Sequence, residues 1–132
     1  MAQPEDLADV RIHLPADVSS AAEARSFVAD AVRRWGHEPP ETLPLLTSEV
    51  VTNAVTHTDT PWVELRVRLA GGHARVEVHD ADATHPVVAA PDPTTVGGFG
   101  MWLVAELARD WGVEEIADDG KVVWFEVALS AA

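Results

Sequence analysis

The chain has 132 residues, with nine Lys and Arg against 22 Asp and Glu, a formal net charge of −13 and no cysteine. That charge argues against sequence-independent nucleic-acid binding, which needs a basic footprint, and the lack of cysteine removes disulfides, thiolate metal sites and a cysteine nucleophile. A 47% hydrophobic content fits one folded domain over residues 1–132. With no signal-like start and no bilayer-length apolar run, a cytosolic protein without a membrane partner is expected.

Residues 1–8 read as a polar leader. Val10 to Leu14 alternate apolar and polar, predicting a short strand that Pro15 ends. Ser19 or Ser20 can cap the next helix, and Glu23, three residues past Ser20, fits a capping box. Ala21, Ala24, Phe27, Val28, Ala31, Val32 and Trp35 recur at helical spacing, and Gly36 supplies the stop. Arg25, Arg33 and Arg34 lie on this helix, where solvation is the ordinary fate of an arginine. A second helix is predicted from about Glu41 to Thr58, with Pro44 in its first turns.

Trp62 to Leu69 alternate as a strand, Gly71-Gly72 signals a hairpin, and Ala74 to Asp80 form the returning strand. From Ala81 to Thr95 the pattern collapses into a proline-rich loop, and a loop of that length in a small domain is usually functional. A third helix is predicted from Met101 to about Asp110. A short strand follows at Trp111–Glu114, then a turn at Asp118-Asp119-Gly120 and a closing strand from Val122 to Leu129. Runs of strands with helices grouped apart predict a two-layer α/β sandwich, a mostly antiparallel mixed sheet with three helices on one face.

Three features need one explanation. On the second helix Glu49, Asn53 and His57 stand four apart, each displaced about 40° from the last, with Thr52 and Thr56 beside them. The face holds one carboxylate, one carboxamide, one imidazole and two hydroxyls, not the Lys and Glu pairs of a solvated helix. Such groups suit a hard cation and phosphate oxygens, although a mildly polar exposed face remains open as the plain reading. Asp80 ends a strand, where an aspartate seen alone is most often a turn former. Gly97-Gly98-x-Gly100 opens a helix, where unpaired N–H groups make a phosphate seat.

In this order and spacing, SEVVTNAVTH, EVHDAD and GGFGMWLV resemble the N box, strand-end aspartate and glycine box of the GHKL (Bergerat) ATP-binding fold. Histidine kinases, DNA gyrase, a heat-shock chaperone and the mismatch-repair ATPases share that fold. The likeness is nearest to the bacterial anti-sigma factor serine/threonine kinases, also called anti-sigma regulatory factors, and runs from about Asp9 to Leu129. It implies ATP and Mg²⁺ as cofactors, with Asn53 supplying its side-chain oxygen to Mg²⁺ and Glu49 acting as general base. Asp80 would accept the adenine amino group, Gly98, Gly100 and Met101 would border the phosphates, and residues 81–97 would form the lid. His57 matches a position often held by His. Arg25 matches an arginine at the partner surface, where the partners would be a sigma factor and an anti-sigma factor antagonist. A homodimer through the first strand and helix is compatible with the likeness. Two departures stand out: Asp82 replaces a usual glycine, and no Lys or Arg occurs between Ala81 and Phe99. They motivate the alternative of an interaction module that sequesters its partner without kinase activity.

Overall fold

A computed structural model describes residues 8–58, 60–81, 100–116 and 120–131. The predicted lid beyond Ala81, Gly98, and the leader through residue 7 lie outside the described residues, as does the side chain of His57. In chain order the elements are β1 (Asp9–Pro15), α1 (Ser20–Arg34), β2 (His37–Glu38), α2 (Thr42–His57), β3 (Trp62–Ala70) and β4 (His73–Asp80). They continue with α3 (Gly100–Leu107), β5 (Asp110–Glu115), β6 (Lys121–Ala128) and β7 (Ser130–Ala131).

Five strands form one sheet in the order β1-β3-β4-β6-β5, and β2 pairs with β7 apart from it. Every described pair is antiparallel, which with the three helices gives the expected two-layer α/β sandwich on a mostly antiparallel sheet. The β3–β4 hairpin turns on Gly71 and Gly72, both at positive φ (57° and 82°), as a two-residue turn matching the strand twist requires. β1 ends at Pro15, as expected, although Pro15 itself still pairs with Trp62. A proline is tolerated there because β1 is an edge strand and its ring can take the side without a ladder partner.

The predicted capping box does not form. Ser19 is the N-cap without a side-chain bond, and the Ser20 hydroxyl donates to the Pro15 carbonyl at 2.7 Å. Asp17 takes over the turn, accepting from the N–H of Ser19 on its side chain and from that of Ser20 on its carbonyl. α3 stops at Leu107, three residues earlier than expected, and Asp110 already belongs to β5.

The two faces of the sheet are chemically opposite. Inward, Val63, Leu65 and Val67, then Ala74, Val76 and Val78, then Val123, Phe125 and Val127 meet Val28 and Val32 of α1, Leu46 and Val50 of α2, and Met101 and Val104 of α3 in one core. Period-two alternation on every strand produces this result. Outward, the same strands carry ions. Arg66 grips Asp9 with both a 2.9 Å and a 2.6 Å bond, and Arg75 bonds Glu77 at 2.7 Å and Glu126 at 3.1 Å. Trp124 lies flat over Gly112, where a Cβ would meet its ring at 2.8 Å, and Arg75 stacks on that ring 4.0 Å from its centroid.

Glu77 is the hub of the outer face. Arg68 and Arg75 stand directly opposite one another, a repulsive arrangement, and the Glu77 carboxylate accepts from both. Burial pushes its carboxyl up, but the two guanidinium hydrogen bonds outweigh this and hold it below the ordinary value. The Arg66 hydrogen bonds do the same for Asp9. A carboxyl depressed in the folded state contributes stability above its unfolded pKa, about 4, and that contribution is lost as pH falls through the folded value. The melting temperature should therefore drop steeply below about pH 4. Glu77→Gln should flatten that drop and cost about 1–3 kcal/mol at neutral pH, measured by thermal melts across pH.

Candidate functional site

α2 carries the site and part of the core on opposite sides. Leu43, Leu46, Val50, Val51 and Ala54 are at most 3% exposed, and they press α2 against β3, β4, β6 and both other helices. Thr47 is fully buried as well, its hydroxyl satisfied by the Leu43 carbonyl one turn back at 2.8 Å. On the other side Glu49, Thr52 and Asn53 are half-buried, while Thr56 is exposed. No hydrogen-bond partner holds the Glu49 carboxylate or the Asn53 carboxamide among the described residues. Burial raises the Glu49 carboxyl above its ordinary value, because desolvation disfavours the charged form. That is the direction in which a carboxylate becomes a better proton acceptor near neutral pH.

Asp80 sits at the end of β4, on the inward face. Along that face the row Val78, Val123, Val113 is followed by Asp80, Lys121 and Glu115, directly opposite one another on β4, β6 and β5. The apolar pattern thus ends in a charged row on the helix-covered side. Asp80 and Lys121 are each 2% exposed, and the Lys121 ammonium donates to Asp80 Oδ1 at 3.1 Å. Sequence reading named Asp80 but missed Lys121. The strand register would have found it, since Lys121 shares the parity of Val123, Phe125 and Val127.

Gly120 fixes the main chain here. Its φ is +101°, and a Cβ would lie 2.0 Å from the Asp80 carbonyl oxygen and 2.5 Å from Ala81 Cα. Only glycine permits that approach.

The other predicted residues divide. Gly100 is the first residue of α3, which packs on α2. The Met101 side chain is 2% exposed within the core, so any contact of this residue with a ligand falls to its main chain. Arg25 is exposed on α1 and donates to the Ser48 hydroxyl at 3.0 Å, which ties α1 to the residue just before Glu49. A cleft of about 430 Å³ lined by Asp9, Arg68, Arg75 and Glu126 opens on the outer face. Its charges are paired within the ion network, and it contains no predicted site residue.

Two stability predictions follow from these contacts. A carboxyl raised in the folded state carries a penalty that is absent below its unfolded pKa and grows as pH rises through the folded value. Glu49→Gln should then raise the melting temperature more at about pH 8 than at about pH 5. Gly120→Ala should destabilise by at least about 2 kcal/mol, read as a lowered denaturant midpoint.

A family model described as a histidine kinase-like ATPase domain matches residues 14–127. Comparison with individual curated proteins gives no match. The matched span takes in α2, the Asp80–Lys121 row and the start of α3, so the residues assembled above all lie within it. The chain belongs to the histidine kinase-like ATPase domain family.

Proposed function

We propose that the protein is a Mg²⁺–ATP-dependent serine/threonine kinase of the anti-sigma regulatory type. In this reading it binds a sigma factor and phosphorylates an antagonist of the anti-sigma factor. The observation that carries this reading is the pair Glu49 and Asn53, half-buried one turn apart on α2 and held by no side chain among the described residues. A carboxamide oxygen is a suitable ligand for Mg²⁺, which takes oxygen donors and keeps several waters. The described residues contain no cluster of three or more His, Asp or Glu side chains able to hold a metal alone. One protein ligand completed by phosphate oxygens and water is the coordination such a site supports.

When bound, Mg²⁺–ATP supplies the phosphoryl group and the cation that neutralises its charge. The chain's own groups position and deprotonate. Glu49, raised toward neutrality by burial, takes the proton from the attacking serine or threonine hydroxyl. Asn53 orients the cation through its side-chain oxygen. Asp80 accepts the exocyclic amine of adenine, and the start of α3 at Gly100 offers main-chain N–H groups to phosphate. Arg25 serves the partner surface, where its bond to Ser48 connects that surface to the helix carrying the base.

Calorimetric titration of ADP and ATP, with and without Mg²⁺, tests the site beside Asn53→Ala. Binding should depend on Mg²⁺ and weaken at least tenfold in the variant. Transfer from labelled ATP to the antagonist should fall about 10²–10⁴-fold in Glu49→Ala with nucleotide affinity kept. Nucleotide binding without any labelled antagonist would favour partner sequestration, the reading that Asp82 and the absence of Lys and Arg from residues 81–97 suggest.

A further inference from the structure

Lys121 is the only lysine of the chain, and it is buried at 2% exposure. Every other cationic side chain is an arginine. At its position the inward strand pattern calls for an apolar residue, as Val123 and Val78 show one row away. A buried ion pair is poor value as a stabiliser, because desolvating two charges offsets most of their attraction. The charged row therefore needs a reason other than stability.

The choice of lysine over arginine supplies one. Elsewhere in this protein Arg66 meets Asp9 as a fork, Nε on Oδ1 and Nη2 on Oδ2. Such a fork fixes both carboxylate oxygens in one plane. Lys121 meets Asp80 as a point donor, its Nζ on Oδ1 at 3.1 Å. A point donor takes fewer of a carboxylate's acceptor positions than a fork does. The Gly120 main chain, pressed on the Asp80 carbonyl, fixes the same residue from behind.

We infer that Lys121 is a positioning residue that holds the Asp80 carboxylate as an oriented acceptor, and so sets the preference of the site for an amino-purine over an oxo-purine. The inference rests on the nucleotide-binding reading and deepens it. A carboxylate accepts the N–H of an exocyclic amine and repels an exocyclic oxygen at the same place, and discrimination by such a group is large because the wrong base leaves it unpaired. Lys121 acts only through Asp80 in this scheme.

The test compares ADP with inosine diphosphate, which carries an oxygen where ADP carries the amine. The wild-type protein should prefer ADP at least tenfold by calorimetry. Lys121→Arg keeps the charge but substitutes a fork for a point donor, and the preference should fall at least fivefold. Asp80→Asn combined with Lys121→Met removes both buried charges, and its carboxamide can accept from an amine or donate to an oxygen. That variant should fold, by circular dichroism, and bind the two nucleotides within about threefold of each other, a ratio that a purely structural lesion would not move. Selective ¹⁵N-lysine labelling gives a single side-chain ammonium signal in the unmutated protein, and saturation with ADP should shift it more than inosine diphosphate does. A wild-type preference that survives in both variants, or an ammonium signal unmoved by saturating ADP, would overturn the role of Lys121 and leave the proposed function standing. A wild-type protein that binds neither nucleotide would overturn both.

Discussion

The sheet is covered by helices on one face only, and most of the molecule's chemistry follows from that asymmetry. Inward residues can be apolar without exception until the last row, because α1, α2 and α3 exclude water from them. Outward residues must satisfy themselves in solvent. They do so with a ladder in which Asp9, Arg66, Glu77, Arg68, Arg75 and Glu126 are each other's partners. Individually such pairs contribute little at a surface, but a network organised around a mostly buried carboxylate is worth more than its isolated members. The ladder also concentrates cations. Arg11, Arg66, Arg68 and Arg75 all lie on this outer face, in a chain whose basic residues number nine. Neither α2 nor α3 carries a Lys or Arg, so the charge of a polyanionic ligand held between them would fall to main-chain N–H groups and a bound divalent ion.

α2 shows how one helix can serve core and site at once. Its buried side is set by Leu43, Leu46, Val50 and Ala54, and its position is fixed by β4 beneath it and α3 beside it. Because that side is over-determined by packing, the opposite side is free to hold groups that a stable helix would not choose. Glu49 is such a group: half-buried, raised in pKa by desolvation, and without a compensating cation among the described residues. Active sites are commonly where a protein keeps such unfavourable groups. Ser48, one residue earlier, is already engaged by Arg25 from α1, so the first helix touches the site helix beside its acidic group.

How much of this was legible in the sequence depends on the range of each interaction. Strand alternation from Val10 to Leu14 and from Trp62 to Asp80, the Gly71-Gly72 hairpin and the amphipathic second helix are local patterns, and each stands where the residues placed it. The partners of β1 and β6 are not local, and a sequence cannot say that β1 joins β3 at the edge or that every pair among the described residues is antiparallel. The capping box failed for a local reason, since Ser20 Oγ turns back to the Pro15 carbonyl and the Asp17 side chain accepts from the N–H of Ser19 instead. β2 and β7 are two-residue strands that pair from His37 and Glu38 to Ala131 and Ser130, too short to leave a periodic trace. In the site, Glu49, Asn53 and Asp80 were readable as residue types at spaced positions. Their burial, and the raised carboxyl of Glu49, were not. Met101 looked like part of a glycine-box ligand surface and proves to carry its side chain into the core.

Lys121 illustrates the same limit from the other side. In sequence it follows Asp118-Asp119-Gly120, and a lysine after an acidic turn reads as a solvated end of a strand. Only the register places it opposite Asp80 and Glu115, and only packing by the helices removes it from water. The inward alternation of β4 and β6 demands apolar residues at those two positions, so the local rule is broken on both strands in the same row. Two independent substitutions of charge for hydrocarbon, facing each other, are not explained by turn chemistry at either one. They are explained if the row's purpose is to present an oriented carboxylate at the end of an otherwise apolar inward face, as the nucleotide-binding reading proposes.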